Sequence, residues 1–255
     1  MPLLLSSRPS AFAPSAVAST TLAAALLAGA AQAQSLAFCD FDAGPQGWTL
    51  DVSAEWIAGG GNPGGYLHGS ISEPTNTTPF ASAPAAYLGS WTALDGVGAI
   101  HFDYRRFSNG GGSVLAYLPL AIEITGGTAN PAGRAVWNGP TIVQPGDWKG
   151  YVARIRAADW TVTAGSWSDI LTNVRSMRMQ LELVSNTREP EDSNGIDNVR
   201  LCASDSGADL DGDCAVDGAD LGLLLGAWGG TGADINGDGT TDGADLGLLL
   251  GAWTG

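Results

Sequence analysis

The sequence predicts a mainly β protein: a two-sheet sandwich over residues 34–203, followed by a small α-helical module over 204–255. Three observations carry this. Between 38 and 203, short apolar stretches alternate in polarity and are cut by Gly, Pro and Asn, and no long segment of 3.6-residue period interrupts them. The chain ends on a repeat, writing "DGADLGLLLGAW" at 217–228 and again at 242–253. The charge also changes at the junction. Residues 204–255 hold ten Asp and no Lys, Arg, His or Glu, whereas 34–203 hold sixteen acids against ten bases, within a net charge of −15.

Residues 1–33 stand apart from the fold. Arg8 precedes an apolar run, Ala16 to Ala31, and the segment closes on small residues, "AQA" at 31–33. This pattern reads as a secretory signal cleaved before Gln34. The run is short and rich in Ala and Gly for a bilayer span of about 20 residues. The expectation is an exported chain with no membrane span after cleavage.

Within the sandwich, "GAIHFDYRRF" (98–107), "GSVLAYLPLAIEI" (112–124), "WKGYVARI" (148–155) and "SMRMQLELV" (176–184) read as strands. One helix is expected in "SWSDILTNV" (166–174), with Ser168 as its cap and Ile170, Leu171 and Val174 on one face. Among the three cysteines, Cys39 shares strand parity with Phe41, while Cys202 is out of phase with Val199 and Leu201. That mismatch disfavours a Cys39–Cys202 bond. A Cys202–Cys214 disulfide, which an exported chain permits, would clip the tail to the body.

The acidic repeat has the spacing of a cation loop. Copy one, "DLDGDCAVDGAD" (209–220), and copy two, "DINGDGTTDGAD" (234–245), place oxygen side chains at positions 1, 3, 5, 9 and 12. These are Asp209, Asp211, Asp213, Asp217 and Asp220, then Asp234, Asn236, Asp238, Asp242 and Asp245; position 7 offers a backbone carbonyl, from Ala215 and Thr240. Ca²⁺ takes six to eight oxygens at about 2.3–2.6 Å, and a twelve-residue loop supplies them in this spacing. Two Ca²⁺ are expected, and the loops should order with the ion because clustered carboxylates repel. An acidic tail argues against nucleic acid or an anionic membrane as partner.

A pair of such loops, each followed by one helix, with Asp at position 12 and "ADL" leading into the helix, resembles a type I dockerin, an EF-hand-loop module. The resemblance covers 204–255 and implies two antiparallel helices and a cohesin-like or cell-surface protein partner, contacted near Gly218, Ala219, Gly243 and Ala244. Two positions depart from the pattern: Cys214 stands at position 6, where Gly is usual, and Thr241 at position 8, where an aliphatic residue is usual.

The sandwich carries a second resemblance. "FDAGPQGWTL" (41–50), "WIAGGGNPGGYLHG" (56–69), "FASAPAAYLGSWTALDGVGAIHFDYR" (80–105), "GDWKGYVARI" (146–155), "SDILTNVRSMRMQLEL" (168–183) and "NGIDNVRL" (194–201) follow one another in the order of a laminin IV (laminin B) domain of secreted bacterial proteins. This implies a jelly roll akin to galactose-binding-like and carbohydrate-binding modules, with an extracellular glycan or protein as ligand. In such sandwiches the terminal strands adjoin and share a Ca²⁺, which would place a third ion at Asp40, Asp42 and Asp197; solvated edge residues or a turn cap explain the same three equally well. Of seven Trp in the body, Trp48, Trp56, Trp91 and Trp148 sit inside these motifs as structural residues. Trp137, Trp160 and Trp167 lie nearer turns and are the expected sugar-stacking platforms.

No catalytic constellation is legible. His68 and His101 sit in no metal motif, and nothing pairs Glu55, Glu73, Glu123 or Glu182 across a cleft as glycoside hydrolysis requires. The sequence thus points to a secreted, non-catalytic binding protein, tethered by a calcium-dependent tail and serving polysaccharide breakdown. A structural or adhesive cell-surface matrix protein without glycan binding is the alternative.

Overall fold

The computed structural model describes residues 35–71, 78–108, 114–186 and 192–254. The leader expected at 1–33 lies outside these residues, as does Glu73. The strands are β1 (Ser35–Cys39), β2 (Thr49–Leu50), β3 (Ala54–Ile57), β4 (Tyr66–Ile71), β5 (Phe80–Ser82), β6 (Ala99–Ser108), β7 (Val114–Tyr117), β8 (Pro119–Gly126), β9 (Gly133–Thr141), β10 (Lys149–Arg154), β11 (Trp160–Ala164), β12 (Val174–Gln180), β13 (Val184–Asn186) and β14 (Asp192–Cys202). Among the described residues three α-helices accompany them: α1 (Trp167–Thr172) between β11 and β12, then α2 (Gly218–Gly226) and α3 (Gly243–Gly251) after β14.

Two six-stranded antiparallel sheets form the body, as a jelly-roll sandwich requires. The first runs β10-β6-β14-β4-β3 with β1 also on β14, and the second runs β11-β9-β8-β12-β5-β2. Strand alternation decides what lies between them. Ile100, Phe102 and Tyr104 on β6 meet Ile122 and Ile124 on β8 and Met177 and Met179 on β12, all almost fully buried in one core. Their neighbours Glu123 and Arg178 are cross-strand partners on the opposite face of the second sheet.

The eleven-residue β14 organises the first sheet. It pairs β4 along its first half, β1 along its second and β6 on its other edge. Its register shifts between Asp197 and Arg200, where Asn198 takes φ 49°. This bulge re-aims the chain, as bulges do: Ile196, Val199 and Leu201 all stay in the core. At the far end, β14 starts on an interior ion pair. Arg106 and Asp192, each about 1% exposed, sit with Nη2 and Oδ1 3.4 Å apart. Backbone groups complete the set: Arg106 Nη1 donates to the carbonyls of Ile142 and Val143, and Asp192 accepts from the amides of Leu183 and Val184.

α1 corrects one expectation. Its cap is Ser166, whose extended backbone lets its hydroxyl accept from the Asp169 amide, while Ser168 falls inside the first turn.

The tail builds its own small core from Leu224, Leu249, Ala208, Val216 and Ala233. The two copies are clipped reciprocally. Val216, at position 8 of the first loop, exchanges bonds with Thr254 after α3, donating to its hydroxyl (2.7 Å) and accepting from its amide (2.9 Å). Thr241, the equivalent residue of the second loop, accepts from the Gly229 amide and donates to the Gly230 carbonyl after α2. Each half therefore closes the other.

The tail is also fastened to the first sheet. Cys202 at the end of β14 is bonded to Cys214, with Cα atoms 5.4 Å apart, while Cys39 is buried and free. Asp205 bridges Arg154 (2.5 Å) and His101 (3.3 Å), and Arg200 donates to the Gly212 carbonyl (3.1 Å). No described helix is long and apolar enough to cross a membrane.

Candidate functional site

The two acidic loops share one pattern of backbone hydrogen bonds. In the first, Asp209 Oδ1 accepts from the amides of Gly212 and Asp213, and its Oδ2 from that of Cys214. In the second, Asp234 accepts from Gly237, Asp238 and Gly239 in the same way. Asp211 and Asp213 accept from the amides two residues on, as do Asn236 and Asp238. Among the described residues, Asp209, Asp211 and Asp213 are the one group of three acidic, His or Cys side chains whose ligand atoms, here carboxylate oxygens, lie within 4.8 Å of one another. Copy two has an amide, Asn236, at the middle position, hydrogen-bonded to Asp238.

Positions 9 and 12 are held by the helices. Asp217 and Asp242 cap α2 and α3 through the amides of Ala219 and Ala244. Asp220 and Asp245, fully buried, each accept from three backbone amides: Leu210, Asp211 and Asp217 in one copy, Ile235, Asn236 and Asp242 in the other. Burial, with Asp220 near, pushes Asp209 up to about 6, and burial with Asp213 raises Asp211. A hard cation fits this donor set: oxygens only, fixed by backbone amides, with like charges that an ion would relieve. Ala215 and Thr240 hold position 7, and Gly218, Ala219, Gly243 and Ala244 lie exposed on the first turns of the helices.

A second carboxylate group lies where β1, β6 and β14 meet the 61–65 loop. Asp197 is fully buried and accepts from the amides of Asn62 (2.5 Å) and Asn198 (2.7 Å). Asp103 accepts from the side-chain amides of the same two residues, and Asp42 from the Gly65 amide. A Cβ on Gly64 would fall on the Asp42 carboxylate, so glycine alone lets the loop close. Burial, with Asp103 and Asp42 adding, pushes Asp197 up to about 7. Asp40 departs from the expectation. It is turned to Gln46 Nε2 (2.6 Å), and Asp103 takes the third place. Each of these carboxylates is satisfied by amides, and the trio is looser than that of the first loop.

The tryptophan platforms are corrected. Trp137 and Trp160 are cross-strand partners that point into the core, 7% and 5% exposed. Trp137 packs edge-on against Phe102, and Trp160 donates to the Arg154 carbonyl. Trp167 is half-buried, lies against Trp160 and donates to Asp95. The aromatic group on the outer face of the first sheet is a different one: Tyr66, His68, Phe107 and Trp148, packed over Gly195. On the second sheet, Glu123 is clamped between Arg134 and Arg178, which hold it below its ordinary range against the effect of burial. Glu55 stands exposed beside His68, and burial raises Glu182.

A polar trench of about 550 Å³ runs along the outer face of the first sheet. Asp103, Gly150, Arg154 and Arg200 line its floor and sides, and residues 205–212 of the tail form its wall.

No protein-family model matches this chain, and no curated protein matches it. Solved structures do. The L4b domain of human laminin alpha-2 is 13% identical with a TM-score of 0.39, covering 49% of this chain and 70% of that one. The family 11 carbohydrate-binding module from Clostridium thermocellum, solved with a β-1,3-1,4-mixed-linked tetrasaccharide, is 17% identical with a TM-score of 0.42, covering 67% and 94%. The CBM22-2 xylan-binding domain from Paenibacillus barcinonensis is 15% identical with a TM-score of 0.39, covering 66% and 99%.

Sequence reasoning missed Asp103 and the trench. Asp103 sits mid-strand in "HFDYRRF", and only its odd parity with His101 and Arg105 marks it as outward-facing. The trench needs the tail folded back on the sheet, and the cysteine parity was its one signal.

Proposed function

We propose that this chain is a secreted, non-catalytic binding protein whose sandwich recognises a carbohydrate or another extracellular ligand and whose C-terminal repeats bind two Ca²⁺ and tether it. The observation that carries the reading is the matched construction of the two loops. Asp209, Asp211, Asp213 and the Ala215 carbonyl would hold one ion; Asp234, Asn236, Asp238 and the Thr240 carbonyl would hold the other. Asp217 and Asp220 in one copy, and Asp242 and Asp245 in the other, order the loops through the helix starts and would complete each ligand set. Bound Ca²⁺ supplies the positive charge that offsets these carboxylates. Asp42, Asp103 and Asp197 would hold a third ion only by drawing closer together.

The leader-like segment and the Cys202–Cys214 bond both suit an oxidising, extracellular setting. For tethering, each helix presents the same apolar set, Leu223, Leu225 and Trp228 or Leu248, Leu250 and Trp253, between 39% and 54% exposed. That is surface for a cohesin-like or cell-surface protein partner. A carbohydrate ligand is supported by the laminin IV-like order of motifs and by the polar trench on the outer face of the first sheet. The test is a glycan array probed with the mature chain (34–255) in millimolar Ca²⁺. Retention on one polysaccharide class supports the reading, and a blank array with folded protein contradicts it.

A further inference from the structure

We infer that the trench between the first sheet and the first acidic loop is a sugar-binding subsite for a neutral, hydroxyl-rich glycan, with that loop as one wall. This rests on the glycan-binding reading above and gives it a place. The volume, about 550 Å³, lies within the roughly 300–1,000 Å³ of small-ligand sites. The wall is fixed by the Cys202–Cys214 bond, the Asp205 bridge to Arg154 and His101, and the Arg200 bond to Gly212. A wall already in place loses little freedom on binding.

Gly150 is the unexplained residue of the floor. It is exposed at the second position of β10, paired with Asp103, its φ needs no glycine, and a Cβ there would meet only Asp103 Oδ1, at 3.6 Å. Nothing in the fold therefore demands glycine. A glycine inside a strand marks a place where a ligand or another backbone comes close, and here the open side is the trench.

The lining groups suit hydroxyls, which both donate and accept. Asp103 has Oδ2 engaged by Asn62 and Asn198 and turns Oδ1 toward the Gly150 position. Arg154 spends its Nε on Asp205 and is 44% exposed, which leaves the far side of its guanidinium to the trench. His101 is 7% exposed, and its Nε2 has no well-formed hydrogen bond, Asp205 Oδ1 lying 3.3 Å away. Charge decides between neutral and acidic sugars. With Ca²⁺ on Asp209 and Asp211, Asp103 and Asp205 stand against Arg154 and Arg200, so the trench carries no excess positive charge, on a chain of net charge −15. Nothing in it draws a uronate or sulfate, whereas a neutral glycan needs no such charge.

The test uses the mature chain in millimolar Ca²⁺, with calorimetry against mixed-linked glucan, xylan and mannan oligosaccharides and against polygalacturonate. Gly150→Leu fills the floor without touching the core, and Arg154→Gln changes the opposite side; Tm and Ca²⁺ stoichiometry report whether each folds. The expected result is binding of one neutral glycan, weakened at least tenfold by either folded variant, with Thr161→Leu on the second sheet unchanged. Equal binding by wild type and both variants, or binding of polygalacturonate alone, overturns the subsite while leaving glycan binding intact. No binding of any sugar by folded wild type overturns both.

Discussion

Cys214 takes φ 73° at the loop position where copy two has Gly239, at φ 95°. An L residue is strained there; the Asp209 carboxylate holds its amide and the disulfide holds its side chain. The disulfide thus does two things, closing a loop of sequence separation 12 and fixing one acidic loop against β14. Replacing both cysteines by Ser should lower stability by roughly 2–4 kcal/mol. It should also weaken Ca²⁺ binding in the first loop while sparing the second, as thermal melts and calcium titrations would show. Asp197 gives a prediction with a sign. Its folded pKa of about 7 lies above the unfolded value of about 3.9. The fold therefore favours the protonated form: the contribution is fully present below about pH 4 and is lost as pH rises toward 7. In chelator, wild type should lose stability across that window relative to Asp197→Asn. Parallel Tm profiles for the two proteins would show that Asp197 is not so placed. That Asp42 and Asp197 lie near one another follows from β1 pairing with β14, an adjacency the laminin IV-like resemblance implied. Asp103 was not legible, because its place depends on the pairing of β6 with β14.

At the scale of elements, what could be read was what is local. The acidic loops follow from spacing, and α2 and α3 from the dockerin-like resemblance, which puts a leucine-rich helix behind each loop; their Asp caps came only with the structure. α1 was readable except for its cap, which turned on which of two serines stayed extended. Trp137 and Trp160 were misread because closeness to a turn says nothing of facing. They are directly opposite across β9 and β11, so both share the face that β9 turns to the core through Ala135. Trp137→Ala or Trp160→Ala should cost about 3–5 kcal/mol of stability. A loss of sugar binding at unchanged Tm would instead make them platforms. Thr241 shows the converse: an unusual loop residue is explained once its carbonyl, amide and hydroxyl are all engaged, by Gly229, Gly230 and Ala233.

Over the whole molecule, the sandwich and the tail have separate cores joined by one covalent and several polar clips. Asp205 is central among the polar ones. Burial opposes its ionisation, yet His101 and Arg154 hold its pKa below the ordinary value. This clip is therefore present above about pH 4 and lost as pH falls through the depressed value. Asp205→Ala should raise amide exchange in residues 205–212 while leaving the strands protected. The cysteine parity is the one sequence signal of this docking; the polar clips depend on β6, β10 and β14 lying side by side. The account stands most directly on the acidic loops, and calorimetric titration of the mature chain with Ca²⁺ tests them. Two ions per chain are predicted, falling to one in Asp209→Ala and in Asp234→Ala. No calcium uptake by the folded protein, or a stoichiometry unchanged in both variants, would contradict it.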